Sequence, residues 1–452
     1  MGTLCKNSNS TPVKSTDDLK ALMANVLRKA TEQGATDASV SVNHDSGYSI
    51  DVRVGEVDTV EFSEDKGVGV TVYIGQQKGT SSSTDTSPGA IDAMVTAACD
   101  IAKVSAADPC FGLAESSLIN NNLPDLDLYH PWSLKPVDAI EKALACEKIA
   151  LSLDKRITNS DGVNLSTYEY KHGYATSNGC MAVLDSSRHS ISCSLIAKLG
   201  DSMQRDYDYT TSRDFKDLMD LERLAKSSVE RTTSRLGANP IKTQKLPVIF
   251  SSRLSQSIFS SFIAGVSGSN LYRKNSFLLD SVGQSLFPEF ISIYEEPHRL
   301  KGLGSTPIDG EGVPTRNNKI VQNGILNQYV LGSYAARKLG LQTTANSDGV
   351  HNLTVSPTTG GLKEMLRKMD TGLLVTELMG HGTNILTGDY SRGASGFWVE
   401  RGEIQFPVEG ITIAGNLKSI FKQILDVSND WNVNHATRCG SVLVEEMMVA
   451  GG

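Results

Sequence analysis

A chain of 452 residues is longer than one compact core normally organises, so two or three domains are expected. Its 39% hydrophobic and 21% charged residues are ordinary for a soluble globular protein, and no apolar run approaches the roughly 20 residues of a membrane span. A net charge of −8, with only the isolated basic pairs Arg273-Lys274 and Arg337-Lys338, argues against nucleic acid as a partner, because phosphate binding needs clustered Lys and Arg.

Residues 1 to 14 are polar, without the apolar segment of a signal peptide, which leads to the expectation of a frayed start and a cytoplasmic location. Ser15 then opens a helix with Asp17 and Asp18 in its first turn. Leu19, Leu22, Met23, Val26, Leu27 and Ala30 form its apolar stripe, and Gly34 is its stop. Four period-2 segments follow: Val40/Val42, Tyr48/Ile50/Val52/Val54, Val57/Val60/Phe62 and Val68/Val70/Val72/Ile74. They predict an antiparallel meander with one buried face. Pro88 starts a second helix with a stripe of Ile91, Met94, Val95, Ala98, Ile101 and Ala102.

After a Pro- and Asn-rich connector the order repeats. Pro136 opens a helix carrying Val137, Ile140, Leu144 and Leu151; strands are expected at Thr167–Lys171, Gly179–Leu184, Ile191–Ala197 and Met203–Tyr209; a helix from Phe215 to Leu236 closes the unit. The predicted architecture is α+β. Its N-terminal half is two helix–antiparallel sheet–helix units, residues 15–105 and 125–236, related by duplication. Residues 245–452 then form a β-rich domain with covering helices. There Leu246–Phe250 reads as a strand, Leu254 to Ile263 as a helix, Ile320-Val321 and Ile325–Val330 as a hairpin through Asn323-Gly324, and Ser441–Val449 as a last strand.

The stretch from Thr376 to Asn416 is dense in glycine. Phe397–Val399 and Ile404–Phe406 read as a hairpin turning through Glu400-Arg401-Gly402-Glu403, and Ile411–Ala414 as a following strand. Asp389, Tyr390 and Arg392 fall on a glycine-rich loop in this reading.

Asp389 to Val399, Pro407-Val408 and Ile411–Asn416 resemble the PmbA (TldE) side of the TldD/PmbA metallopeptidase family. So do Ser81–Asp85, Pro124–Leu128, Asp154–Asn159, Tyr272–Lys274 and Ser333–Gly340, so the likeness covers nearly the whole chain. The resemblance implies a heterodimer with a TldD-type subunit that supplies zinc, while this chain shapes the chamber and binds unfolded peptides for proteolysis and peptide maturation. A homodimer or peptide-binding scaffold without catalysis, and a stand-alone metallopeptidase, are the alternatives.

A zinc peptidase needs two His on one helical face and a Glu to take a proton from bound water. None of the eight His lies within five residues of another. The TldD-type subunit carries His-Glu-x-x-x-His before an Arg-Lys pair. Register through Arg273-Lys274 places Ser260, Ser261 and Gly265 at those positions, and Cys439 at the family's third ligand. Hydroxyls and a glycine cannot hold zinc, so no catalytic residue and no metal are assigned to this chain. Arg273, Lys274, Asp389, Tyr390 and Arg392 are the candidate contacts with peptide or partner. Glu377 and His381 read as a solvated turn. The seven cysteines, without Cys-x-x-Cys spacing, read as free thiols.

Overall fold

The computed structural model describes residues 15–451. The expectation of a frayed start, and Cys5, lie outside them. Helix α1 (Thr16–Glu32) begins at Ser15, whose hydroxyl accepts from the Asp18 N–H while the Asp18 carboxylate accepts from the Ser15 N–H, a reciprocal cap. Strands β1 (Asp37–Arg53), β2 (Glu56–Ile74) and β3 (Gln77–Ser83) follow, then α2 (Pro88–Val104). The second set is α3 (Pro136–Leu153), β4 (Ile157–Thr176), β5 (Met181–Leu199), β6 (Ser202–Ser212) and α4 (Leu221–Ser234). The hydrogen-bonded order is β3-β2-β1-β4-β5-β6. The helix–sheet–helix plan therefore occurs twice, with three strands each instead of four, and in one strand order instead of two separate sheets.

The expected break inside β1, at residues 43–47, does not occur. His44 is buried there and bonds Glu64, and Asp45 bonds His172, so polar residues keep the alternation going across the strands. β3, polar throughout, offered no apolar signal.

The chain divides into two compact units. The first comprises the described residues up to Ser46, with Ser63–Asn121 and Tyr170–Asp185. Leu19, Met23, Val26 and Ala30 of α1 and Ile91, Met94, Val95, Ala98 and Cys99 of α2 form its core with Val40, Val42, Val68, Val70 and Val72. Ile101, expected on the α2 stripe, is exposed, and Cys99 takes the inward place.

The second unit holds Gly47–Phe62, Asn122–Glu169 and the chain from Ser186 on. Here α3 does not bury the expected Val137, which is exposed; it presents Ala139, Ala143, Cys146 and Ala150, small residues that let it lie close to its neighbours. Ile140, Leu144 and Leu151 pack at the margin of that core. Val57, Val60 and Phe62 were expected to face a core and are exposed instead.

The C-terminal part comprises β7 (Gln244–Phe250), α5 (Gln256–Gly265), α6 (Gly268–Tyr272), β8 (Ile293–Glu295), β9 (Asn318–Gln322), β10 (Ile325–Leu326), α7 (Ser333–Leu339), β11 (Leu353–Val355) and α8 (Leu362–Met369). It continues with β12 (Gly372–Met379), β13 (Asp389–Glu400), β14 (Glu403–Asn416), α9 (Leu417–Lys422), β15 (Ile424–Val427) and β16 (Val442–Ala450). One sheet runs β10-β9-β8-β11; the other runs β14-β13-β12-β7-β16-β15 and closes through β14–β16 pairing, Ile413 opposite Val449. The β9–β10 hairpin turns at Asn323 (φ 50°) and Gly324 (φ 77°), and the β13–β14 hairpin at Arg401 (φ 55°) and Gly402 (φ 72°), the two positive-φ positions of a type I′ turn. The mainly aliphatic core contains an aromatic cluster, with Phe262, Phe287 and Phe421 in mutual contact.

Candidate functional site

Helix α5 buries Ile258, Phe259, Phe262 and Gly265. On its other faces Ser260 is exposed, and the Ser261 hydroxyl donates back to the Ser257 carbonyl at 3.0 Å. A Cβ on Gly265 would lie 3.0 Å from Leu278 Cδ1 and 3.1 Å from Phe277 Cε1, so the helix end has no room for an imidazole. Cys439 is 1% exposed; burial pushes its thiol up to about 12, and the Sγ bonds the Gly440 carbonyl. Its carbonyl accepts from Ser255, just ahead of the helix. Zinc needs deprotonated sulfur and further nitrogen or carboxylate donors, and these four residues offer two hydroxyls, a bare Cα and a protonated thiol. They do not fit the ion. Among the described residues no three His, Cys, Asp or Glu gather as a metal site.

At the opposite end of α5, Phe277 joins several of the sequence-selected positions. Its ring meets the bare Cα positions of Gly265 and Gly388, and its N–H donates to the Ile385 carbonyl at 2.8 Å. Arg273 and Lys274, four and three residues earlier, are exposed. The Arg273 guanidinium lies over the Tyr272 ring, and Lys274 takes a positive φ of 56° after α6.

Asp389, Tyr390 and Arg392 are not on a loop. They sit in β13, opposite Asn416, Gly415 and Ile413 of β14, because the glycines around them permit close strand pairing. Gly396 is the clearest case: a Cβ there would lie 1.9 Å from the Leu374 carbonyl oxygen, beside a bulge in the β13–β14 ladder. The Asp389 carboxyl is held below its usual range by bonds from Thr387 and Asn416. Tyr390 is buried edge-on to Phe250, and burial pushes its phenol up to about 12. Its hydroxyl lies beside the Arg392 guanidinium without the alignment of a good hydrogen bond, and Arg392 Nε has no acceptor. Glu377 pairs with Arg235 from β12, while His381 is exposed on the bend beyond it.

A second feature, which no motif announces, lies close to Cys439. A cleft of about 180 Å³ is lined by Thr211, Ser212, Arg299, Lys301, His435 and Arg438, among others. Arg299 is fixed by Glu296 and Thr354, each at 2.8 Å, and Lys301 by Asp214 at 2.7 Å. Asn434 bonds the Thr211 N–H and the Tyr209 carbonyl, standing in for a paired strand. Burial and the charges of Arg253 and Arg188 push the His435 imidazole down, which suits its contact with the Tyr209 hydroxyl at 2.9 Å. Guanidinium and ammonium groups on a cleft wall suit carboxylate and carbonyl oxygens. The lining comes from three distant segments without a motif, and only the fold joins them.

Models of the PmbA/TldA metallopeptidase family match this chain in succession: domain 1 at residues 38–102, the central domain at 129–236 and the C-terminal domain at 243–451. The chain is 46% identical to metalloprotease PmbA of Escherichia coli O157:H7, over 92% of each chain, and 43% identical to the PmbA homolog of Haemophilus influenzae, over 99% of each. A TldD homolog of Buchnera aphidicola is 24% identical over 39% of each chain. Among solved structures, a protein of Bacteroides thetaiotaomicron described as a candidate modulator of DNA gyrase superposes with a TM-score of 0.91 at 27% identity, covering 96% of this chain and 99% of that one. TldE of Thermococcus kodakarensis, at 20% identity and a TM-score of 0.83 over 95% of this chain and 100% of that one, has the same fold. This chain belongs to the PmbA/TldD metallopeptidase family.

Proposed function

We propose that this chain is the PmbA-type subunit of a two-subunit peptidase, in which a TldD-type partner carries the zinc and this chain shapes the chamber and binds unfolded peptides. The observation that supports it most is the make-up of α5, where the register through Arg273-Lys274 aligns Ser260, Ser261 and Gly265 with the His-Glu-x-x-x-His of the TldD-type subunit, and where these side chains cannot hold zinc. A zinc ion, where the partner holds one, would supply the activated water. This chain's own residues would position peptide: strand edges offer main-chain pairing, which tolerates any sequence, and Arg273, Lys274 and Arg392 offer charge to carbonyl or carboxylate oxygens. No helix among the described residues is long and apolar enough to cross a membrane. We place the assembly in the cytoplasm.

Peptidase assays on this chain, a TldD-type subunit and their mixture, with size measurement of each, test the proposal. Activity and a heterodimer only in the mixture are expected. Turnover by this chain alone would establish a stand-alone enzyme, and peptide binding without any turnover in the mixture would reduce it to a scaffold.

A further inference from the structure

β3 pairs with β2 only from Ile74 opposite Gln77 to Val68 opposite Ser83. Before Val68, the outer side of β2 at Ser63–Gly67 has no neighbouring strand among the described residues. Where β3 departs, the first unit contains a pocket of about 240 Å³. Leu19 and Leu22 of α1 and Val42 and His44 of β1 line its more buried side, with Asn43, and the more exposed Lys66, Thr84 and Asp85 line its mouth. That volume is below the roughly 300–1,000 Å³ of sites for drug-sized molecules, and suits one or two side chains.

We infer that this unit holds a peptide site of its own: an extended chain continues the line of β3 along Ser63–Gly67 and lowers one apolar side chain onto Leu19, Leu22 and Val42. An unpaired strand edge supplies main-chain donors and acceptors, and a pocket on one face supplies selectivity for alternate side chains. The charges at the edge point to the kind of peptide. Lys66 is bonded to Glu64 at 2.6 Å, which leaves Asp85, bonded by Ser87, as the acidic group of the pocket lining. Two copies pairing through this edge would set Glu64 and Asp65 against themselves, so a peptide with Lys or Arg beside its apolar residue is favoured over self-association. Peptide as the ligand class rests on the function proposed above, but the site needs neither a partner nor cleavage.

The test uses the full chain alone and a short fluorescein-labelled peptide of Ser, Gly and Lys around one Leu. Fluorescence anisotropy should show binding that weakens at least about tenfold when the Leu is replaced by Ser, the scale of one buried leucine. It should weaken comparably when the Lys residues are replaced by Glu, or when Thr84→Trp fills the mouth. Hydrogen exchange should slow at Ser63–Gly67 on binding. No binding, equal affinity for the Leu and Ser peptides, or protection that omits Ser63–Gly67 would overturn the inference, and the peptide comparison holds even where the Thr84 variant misfolds. Failure of the mixed peptidase assay would leave these outcomes readable, so the two proposals fail separately.

Discussion

One oxygen of Glu295 accepts from His351 twice, from its backbone N–H at 2.6 Å and from its ring Nδ1 at 3.1 Å, and Asn346 adds a third bond at 2.7 Å. The other oxygen takes Asn318 at 2.6 Å. Glu295 is 1% exposed, and a carboxylate so placed persists because four hydrogen bonds converge on it. It ties β8 and β9 to the segment before β11.

The imidazole between Glu295 and Asp348 should make stability depend on pH. Burial opposes its charge, but bonds to Asp348 and Glu295 outweigh burial and raise its pKa to about 9. A raised folded-state value contributes stability that is full below the unfolded value near 6.5 and is lost as pH rises through about 9. The shift corresponds to at most about 3 kcal/mol. Denaturant midpoints of the wild type and His351→Gln should differ widely at low pH within the folded range and converge above the folded pKa. A gap independent of pH would mean that the ring only fills space.

A second buried carboxylate holds a turn. Glu147 of α3 accepts from the N–H groups of Val54 and Gly55 at 2.9 and 2.7 Å, where Val54 takes a φ of 53°. Glu147→Ala leaves two donors in the β1–β2 turn unpaired and should cost about 2–3 kcal/mol, while Glu147→Gln keeps one acceptor and should lose roughly half as much. Chemical denaturation gives the energies, and faster hydrogen exchange at Val54 and Gly55 locates them. Equal losses in the two variants would point to packing instead of capping.

These two carboxylates mark the limit of what the sequence discloses. The α1 and α2 stripes, the Asn323-Gly324 and Arg401-Gly402 turns and strands β7 and β16 were legible because period and turn chemistry act over a few residues. Glu147 looked like one more solvated charge on a helix, and nothing near it in sequence says that two N–H groups await it from residues 54 and 55. The long strands were cut in two for a related reason: at His44 and Glu64 the alternation continues through a polar pair, which an apolar pattern cannot register. The selected site residues split likewise. The metal-motif comparison needed only the family resemblance and the register through Arg273-Lys274, whereas the cleft around His435 and Arg438 depends on segments more than eighty residues apart.

Gly396 and Gly410 separate steric from conformational demands on glycine within one hairpin. At Gly396 a methyl group would overlap the Leu374 carbonyl, so Gly396→Ala must part β12 from β13 and should cost more than about 3 kcal/mol, enough to yield mostly insoluble protein. At Gly410, with φ 68° and nothing within 4 Å, only the backbone preference is lost, so Gly410→Ala should cost about 1 kcal/mol. Soluble yield and denaturation midpoints rank the two, and a Gly396 variant as stable as the Gly410 one would refute the tight β12–β13 approach.

Rebuilding the family's metal motif on α5 is the sharpest chemical trial of this chain. Ser260→His and Ser261→Glu replace side chains that are exposed or half-buried, and each should change stability by less than about 1 kcal/mol. Gly265→His must instead displace Leu278 and Phe277, and through Phe277 the segment at Gly388, so about 3 kcal/mol or more should be lost. The triple variant should therefore unfold early and hold less than one tightly bound zinc per chain, with Cys439 still sealed beneath Ser255 and Gly440. Differential scanning and metal analysis of the three single variants and the triple give the answer. A stable triple variant with stoichiometric zinc would mean that only three side chains separate this chain from a metal-binding one; a destabilised, metal-poor variant would mean that the core behind α5 has no room for the imidazole.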